Sequence, residues 1–192
     1  MKDLAMYRPI RLAIVFLFLL AAPVAGQIAA ADRAAALNDA FARLGAAETR
    51  EAADEAEREV WTLWFIGPDA AATATLRRAN SAIQTSALNE AHGLLDDLVA
   101  DQPDFAEAWN QRAFAKFLKG DPFGSLLDIE QTLAREPRHF GALAGRARIE
   151  ASLGKLSEAT RTMGEVGKIH PWMARRSTIP ADPMPPELGE KL

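Results

Sequence analysis

Histidine is the side chain here best suited to bind a metal ion or to transfer protons, and the sequence contains three of them. His92, His139 and His170 are far apart along the chain. A shared metal site would require all three to converge on one point. We therefore predict no metal site and no cofactor, and we expect each histidine to be solvated or to cap a helix.

Carboxylates form the second group of candidates, at Asp96, Asp97 and Asp101. Adjacent residues on one helix point in different directions, so neighbouring carboxylates there do not form an acid–base pair. The simplest interpretation is a solvated helix face. The sequence also has no phosphate-binding GxxxxGK loop, HExxH, GxSxG elbow or DxDxDG calcium loop. We expect no catalytic residues and no enzymatic activity.

The composition is that of one ordinary globular unit. The 192 residues are 49% hydrophobic and 25% charged, with a net charge of -4, which disfavours nucleic acid as a partner. Cysteine is absent, so disulfides, thiolate metal sites, cysteine nucleophiles and lipid attachment through an N-terminal cysteine are excluded. Alanine is plentiful and β-branched runs are scarce, which favours an all-α fold.

The first 26 residues have the pattern of a secretory signal peptide. Three basic residues precede the uncharged segment 12–22, and Pro23 ends the apolar run. The alternative is a membrane anchor, but the run is shorter than the roughly 18 to 20 residues needed to span hydrocarbon. We expect cleavage after Gly26 or Ala31, export to the periplasm, and no stable membrane span afterwards.

A period of 34 residues is the most informative feature of the chain. Pro103, Pro137 and Pro171 are separated by equal intervals, and each unit contains two apolar-periodic stretches of about a dozen residues. The same interval aligns Arg78–Ala79 with Arg112–Ala113 and Arg146–Ala147, Ser86 with Gly120 and Gly154, and Ala91 with Ser125 and Ala159. Three stacked helix pairs are therefore predicted.

Local signals agree with that period. Gly120 and Gly154 stand where a first helix ends in the left-handed conformation. Asp121 and Pro122 then provide an N-cap and a favoured first helical position. We also read Asp104–Glu107 as a capping box that starts the next helix.

With these features the chain resembles the tetratricopeptide repeat family, most closely over 106–139, and more narrowly exported bacterial members of it. The resemblance covers three repeats, 72–105, 106–139 and 140–173, and implies a right-handed α-solenoid of about eight helices. Trp109, Ala113, Gly120, Asp121, Ser125, Ile129, Thr132 and Pro137 occupy the expected classes, whereas Thr75 and Leu143 replace the early aromatic residue.

The flanking segments are assigned separately. Residues 27–71 should form a helical hairpin, Asp32–Leu44 and Glu48–Ile66, that caps the first repeat. Its Trp61 and Trp64 are interpreted as core residues, with an exposed docking patch as the alternative. Residues 174–192 are rich in proline and are predicted to be a mobile tail.

Arg78, Arg112 and Arg146 recur once per repeat. Either they form a ladder that binds an acidic peptide, or each packs its stem and bonds a nearby acid, which we favour. Lys116 and Glu150, at equivalent places in neighbouring repeats, are predicted to form an ion pair.

The resemblance places the binding surface on the first helices, which line the concave side in this family. It implies a groove lined by Asn80, Ile83, Asn110, Phe114, Phe117 and Arg148. Burial against the next repeat is the alternative for both phenylalanines. Leu76, Gly141 and Gly145 stand where a clamp for a C-terminal carboxylate would need basic residues, so that function is disfavoured.

The resulting hypothesis is an exported interaction module that binds a peptide or helical segment of an envelope protein. The alternative is an envelope enzyme or carbohydrate-binding accessory using the acidic surface. A third possibility is self-association through an apolar end face around Leu156, Met163, Ile169 and Trp172.

Overall fold

The computed structural model describes residues 22–179, with side chains from Ala31 onward, and all regular structure in that range is helical. The predicted signal segment lies largely outside this range, as do residues 180–192, so those assignments stay predictions. The helices are α1 (Ala22–Ala46), α2 (Arg50–Trp64), α3 (Ala70–Gln84), α4 (Leu88–Asp101), α5 (Ala106–Leu118), α6 (Pro122–Arg135), α7 (Phe140–Ser152), α8 (Leu156–Ile169) and α9 (Pro171–Arg176).

Helices α3 to α8 form three consecutive antiparallel pairs, one within each predicted repeat. Each helix contacts the next along the chain, both within a pair and between pairs. The chain divides into two compact units, residues 1–36 and 37–192, and the pairs belong to the second. The predicted all-α solenoid is confirmed. No helix in the described range is long and apolar enough to cross a membrane.

The proline period determines where each second helix ends. Helices α4, α6 and α8 end two residues before Pro103, Pro137 and Pro171. The residue preceding each proline leaves the helical conformation, because the proline ring disfavours that conformation there. These residues have nearly equal φ and ψ angles: Gln102 (-127°, 67°), Glu136 (-133°, 91°) and His170 (-134°, 79°).

The turn inside each pair has one geometry. Gly120 and Gly154 have φ angles of +83° and +76°, and Ser86 occupies the equivalent position with φ +60°. In the second repeat the Gly120 amide donates to the Phe117 carbonyl and the Asp121 amide to the Lys116 carbonyl, each over 3.0 Å. This is the Schellman pattern of a helix C-terminus, so the predicted left-handed turns are confirmed.

The helix starts agree with prediction in one case and differ in another. Asp121 is the N-cap of α6, accepts from the Gly124 amide over 2.8 Å and is followed by Pro122. The capping box predicted at Asp104–Glu107 is wrong. Phe105 is the N-cap of α5 and makes no side-chain cap bond. Glu107 is buried, and its carboxylate accepts from Gln111 instead of from the start of the helix.

The N-terminal helix pair packs against the third repeat, not the first as predicted. Phe41 on α1 and Trp64 on α2 share one core cluster with Phe140 on α7 and Met163 on α8. The Trp172 indole donates to the Ala47 carbonyl over 3.0 Å. The end of the third repeat carries the large apolar side chains that the pair can cover, which explains the placement.

This packing also covers the apolar end face expected to self-associate. Met163 is 3% exposed, and Ile169 and Trp172 pack against the same cluster, while Leu156 remains exposed. Self-association through these four residues together is therefore not supported by their placement.

A further helix, α9, begins at Pro171. Its last three residues belong to the segment 174–192, which the sequence predicts to be a tail. Pro171 occupies the first helical position, and the His170 side chain accepts from the Met173 amide over 3.3 Å. Proline ends one helix and starts the next because its fixed φ suits a first turn.

We expect Gly120→Ala to lower the free energy of unfolding by about 1 kcal/mol, because a Cβ there meets no neighbour and the cost is the positive φ alone. Ser86→Gly, at the equivalent turn, should leave the free energy of unfolding unchanged or raise it. Urea denaturation of both variants checks this. An equal loss in the two variants would contradict the conformational explanation.

Candidate functional site

A groove of about 320 Å³ lies along the first helices of the three pairs. Five of the six predicted groove residues line it: Asn80 on α3, Asn110, Phe114 and Phe117 on α5, and Arg148 on α7. Phe114 is 43% exposed, whereas Phe117 is half-buried and packs against the cluster that contains Ala142 and Ile149 of the next repeat. The alternative of burial therefore holds in part for Phe117. Five residues that the resemblance implied for the groove therefore lie on one surface.

Ile83 is the exception, and its assignment to the groove is corrected. It is 6% exposed and packs in the core cluster of the first repeat with Leu76 and Leu95. Asn80 and Ile83 are three residues apart on α3, and only Asn80 lines the groove.

Trp61 completes one wall of the groove, which the sequence analysis missed. Trp64 has the predicted core position and stacks on the His139 ring with centroids 3.9 Å apart. Trp61 is half-buried and reaches the groove from α2. A Cβ on Gly141 would lie 2.5 Å from the Trp61 ring, so this glycine allows the close approach. Gly141, which stands where a carboxylate clamp would need a basic residue, was the available signal.

A buried polar network lies next to the groove and binds its lining residues Asn110 and Gln111. The Glu107 carboxylate is 1% exposed and accepts from Gln111 over 2.7 Å and from Asn110 over 3.2 Å. His139 Nε2 lies 2.8 Å from the other oxygen of Glu107. Because His139 Nδ1 accepts from the Ala142 amide, Nε2 carries the proton and donates to Glu107. This network orients Asn110 towards the groove.

Two of the three histidines fit the capping prediction, and His92, inside α4, caps no helix. His139 and His170 are N-caps with fully buried side chains. His92 pairs with Asp96 over 2.9 Å. Among the described side chains, no group of three His, Asp or Glu residues could hold a metal ion.

Arg112 forms the centre of an ion cluster outside the groove. Its guanidinium donates to both oxygens of Asp128 over 2.8 Å and to Asp96 over 2.9 Å, and its hydrogen bonds to Asp128 raise its pKa. Lys116 pairs with the same Asp128 over 2.8 Å. Asp96 is therefore not simply solvated, whereas Asp97 and Asp101 are exposed as predicted.

The predicted pair between Lys116 and Glu150 is wrong, because each finds a closer partner within its own repeat. Glu150 accepts from Arg146 over 2.9 Å and from Thr162 over 2.7 Å. The favoured structural interpretation therefore fits Arg112 and Arg146. Arg78 is exposed and has no acid partner among the described side chains, so its role stays open.

Glu57 fastens α2, and with it Trp61, to the end of the third repeat. Its carboxylate accepts from His170 over 3.0 Å and from Arg176 over 3.1 Å. The hydrogen bond from His170 is the main cause that lowers the pKa of Glu57 from 4.5 to about 2, and the bonds from Arg176 and Trp61 act in the same direction, against partial burial.

No protein-family model matches the chain. The chain is 35% identical over 118 residues to a protein of Rhizobium etli named a TPR repeat-containing protein. The match covers 62% of this chain and 58% of that protein, so the chain spans little more than half the length of its relative. Together with the helix pairs, this similarity confirms the tetratricopeptide resemblance.

We expect Gly141→Ala to displace Trp61 and weaken the wall of the groove, because the added Cβ collides with the ring. Gly145→Ala is the matched control, since its nearest contact would be an ordinary 3.7 Å to Ile129. Gly145→Ala should be neutral or stabilise by up to about 1 kcal/mol through helix propensity. Thermal unfolding and tryptophan fluorescence measure the difference. Identical spectra and stabilities would contradict the placement of Trp61.

We expect the stabilisation by Glu57 to be complete above pH 4.5 and to be lost as the pH falls towards about 2. The direction follows because the folded protein holds this carboxyl group ionised below its ordinary pKa, so protons bind preferentially to the unfolded chain. Glu57→Gln should flatten the pH dependence of the unfolding free energy over this range. Glu51→Gln, at an exposed position on the same helix, is the control. An unchanged dependence in Glu57→Gln would contradict this role.

Proposed function

We propose that this tetratricopeptide-type repeat protein, a protein–protein interaction module, binds an extended peptide or helical segment of another protein in its groove. The proposal rests on one observation above all. Trp61, Phe114 and Phe117 bring aromatic surface to the same groove as the side-chain amides of Asn80 and Asn110.

That combination matches the chemistry of a polypeptide. Aromatic side chains provide large contact areas for apolar residues of a partner. The amide group of asparagine can both donate to and accept from a peptide main chain. Arg148 adds an exposed cation that favours an acidic residue nearby in the partner.

We place this binding in the cell envelope. The pattern of residues 1–26 supports export, and the lack of cysteine means that folding requires no disulfide in an oxidising compartment. The partner is then an envelope protein, and the location is the periplasm.

The alternative, an enzyme or carbohydrate-binding accessory, has weaker support. It predicts carboxylates with perturbed pKa values converging on a deep pocket. No carboxylate lines the described groove, and Arg148 is its one ionisable residue. The carboxylate with a strongly lowered pKa, Glu57, is occupied in fastening α2.

We expect Asn110→Ala/Phe114→Ala to lose a partner captured from envelope extracts by at least about tenfold, because both side chains contact the groove. The control is Phe123→Ala/Leu127→Ala, which removes two side chains of α6 that are 66% and 63% exposed and do not line the groove. Quantitative mass spectrometry of the captured proteins measures the change. Equal capture by all three proteins would reject the groove as the binding surface.

A further inference from the structure

We infer that residues 180–192 of the chain itself bind in the groove and compete there with the partner. The inference rests on the proposed function of the groove as a polypeptide-binding site. According to this inference, the segment occupies the groove first, and the partner binds by displacing it.

The end of the described chain adjoins the groove. Residues 177–179 line a second pocket, of about 550 Å³, next to α9. This pocket shares Ala144 and Arg148 with the groove. These two residues are one helical turn apart on α7, so the last described residues, 177–179, lie beside the wall common to both cavities.

The segment is long enough to follow the groove. Thirteen residues remain after Ile179. In an extended polyproline conformation, at about 3.1 Å per residue, they reach about 40 Å. The groove crosses from α7 past α5 to α3, and packed helices lie about 8 to 10 Å apart, so this path is about 20 Å. The reach of the segment exceeds this distance.

The prolines of the segment suit the aromatic and amide groups of the groove. Pro180, Pro183, Pro185 and Pro186 favour an extended chain, and proline-rich segments bind in grooves lined by aromatic rings. Proline has a carbonyl acceptor but no N–H donor. The side-chain amides of Asn80 and Asn110 can supply the missing donors.

The charges are also complementary. Asp182, Glu187 and Glu190 outnumber the single Lys191 in the segment. Arg148 is exposed, forms no ion pair among the described side chains and stands at the entry to the groove from the second pocket. No carboxylate lining the described groove opposes an acidic occupant.

A tethered occupant acts at high effective concentration. Short linkers give values in the millimolar range, so even weak contacts keep a groove filled. A partner then binds only by displacing the segment, and its apparent affinity falls in proportion.

Paramagnetic relaxation tests the inference on the full chain. Because the sequence has no cysteine, Met184→Cys provides a unique site for a spin label. We expect broadening of amide signals at Asn110, Phe114 and Ala144, and none at Phe123 or Leu127 on the outside of α6. Broadening limited to residues 174–179, or equal on both faces, would overturn the inference.

Charge reversal provides the matched comparison. Arg148→Glu should reduce the broadening at Asn110 severalfold, and adding Glu187→Arg and Glu190→Arg should restore it. Broadening that is unaffected by Arg148→Glu, or not restored by the compensating changes, would overturn the assignment of Arg148 as the contact.

Partner capture separates this inference from the proposed function. The full chain with Asp182→Lys, Glu187→Lys and Glu190→Lys should capture more partner than the wild type, by severalfold. If capture is unchanged but still depends on Asn110 and Phe114, competition by the segment is rejected and the groove function stands. If capture never depends on Asn110 and Phe114, the proposed function itself fails.

Discussion

The packing of α2 against the start of α7 is the contact on which the rest of the structure depends. Trp64 stacks flat on His139, and Phe140 lies beside the rings of Trp64 and Trp61. His139 is in turn fixed by Glu107 below and by the first amides of α7. One buried imidazole thus joins the N-terminal pair, the second repeat and the third repeat. It acts together with Glu57, which binds α2 to His170 and Arg176.

Buried polar groups make the packing of α2 against α7 specific, which apolar contacts alone would not do. A buried carboxylate is costly unless hydrogen bonds compensate for the lost water. Glu107 has three partners, Gln111, Asn110 and His139, each from a side chain with one suitable orientation. Glu57, about two turns before Trp64 on α2, has a similar arrangement with His170 and Arg176. Glu57 therefore binds α2 directly to the end of the third repeat, whereas Glu107 holds the imidazole on which Trp64 stacks.

The arrangement builds the groove from distant parts of the chain. The N-terminal pair covers the apolar end of the last repeat, so this end is buried against the same chain. The pair also contributes an aromatic side chain to a groove otherwise lined by α3, α5, α6 and α7. The shape of the groove and the burial of the last repeat thus depend on the same helix.

Much of this was determined by the sequence alone. Proline, glycine and small residues at a fixed period act through local backbone geometry, so they define helix ends and turns whatever the surroundings. The three helix pairs and the left-handed turns at Gly120 and Gly154 followed from that period. The groove residues were implied by the resemblance to the tetratricopeptide family, and five of the six line the groove. Helix periodicity places a side chain on one face of its helix. That is enough to predict its surroundings when the neighbouring repeat is known.

The tertiary structure alone decided the rest. The docking of the N-terminal pair, the partners of Glu107 and Lys116, and the position of Trp61 depend on residues that meet across long separations in sequence. Glu57 and His170 are an example, being 113 residues apart. Repeats specify contacts with their neighbours, but a helix outside the period carries no such information. The position of such a helix depends on which apolar face and which buried polar partners remain available once the repeats have stacked.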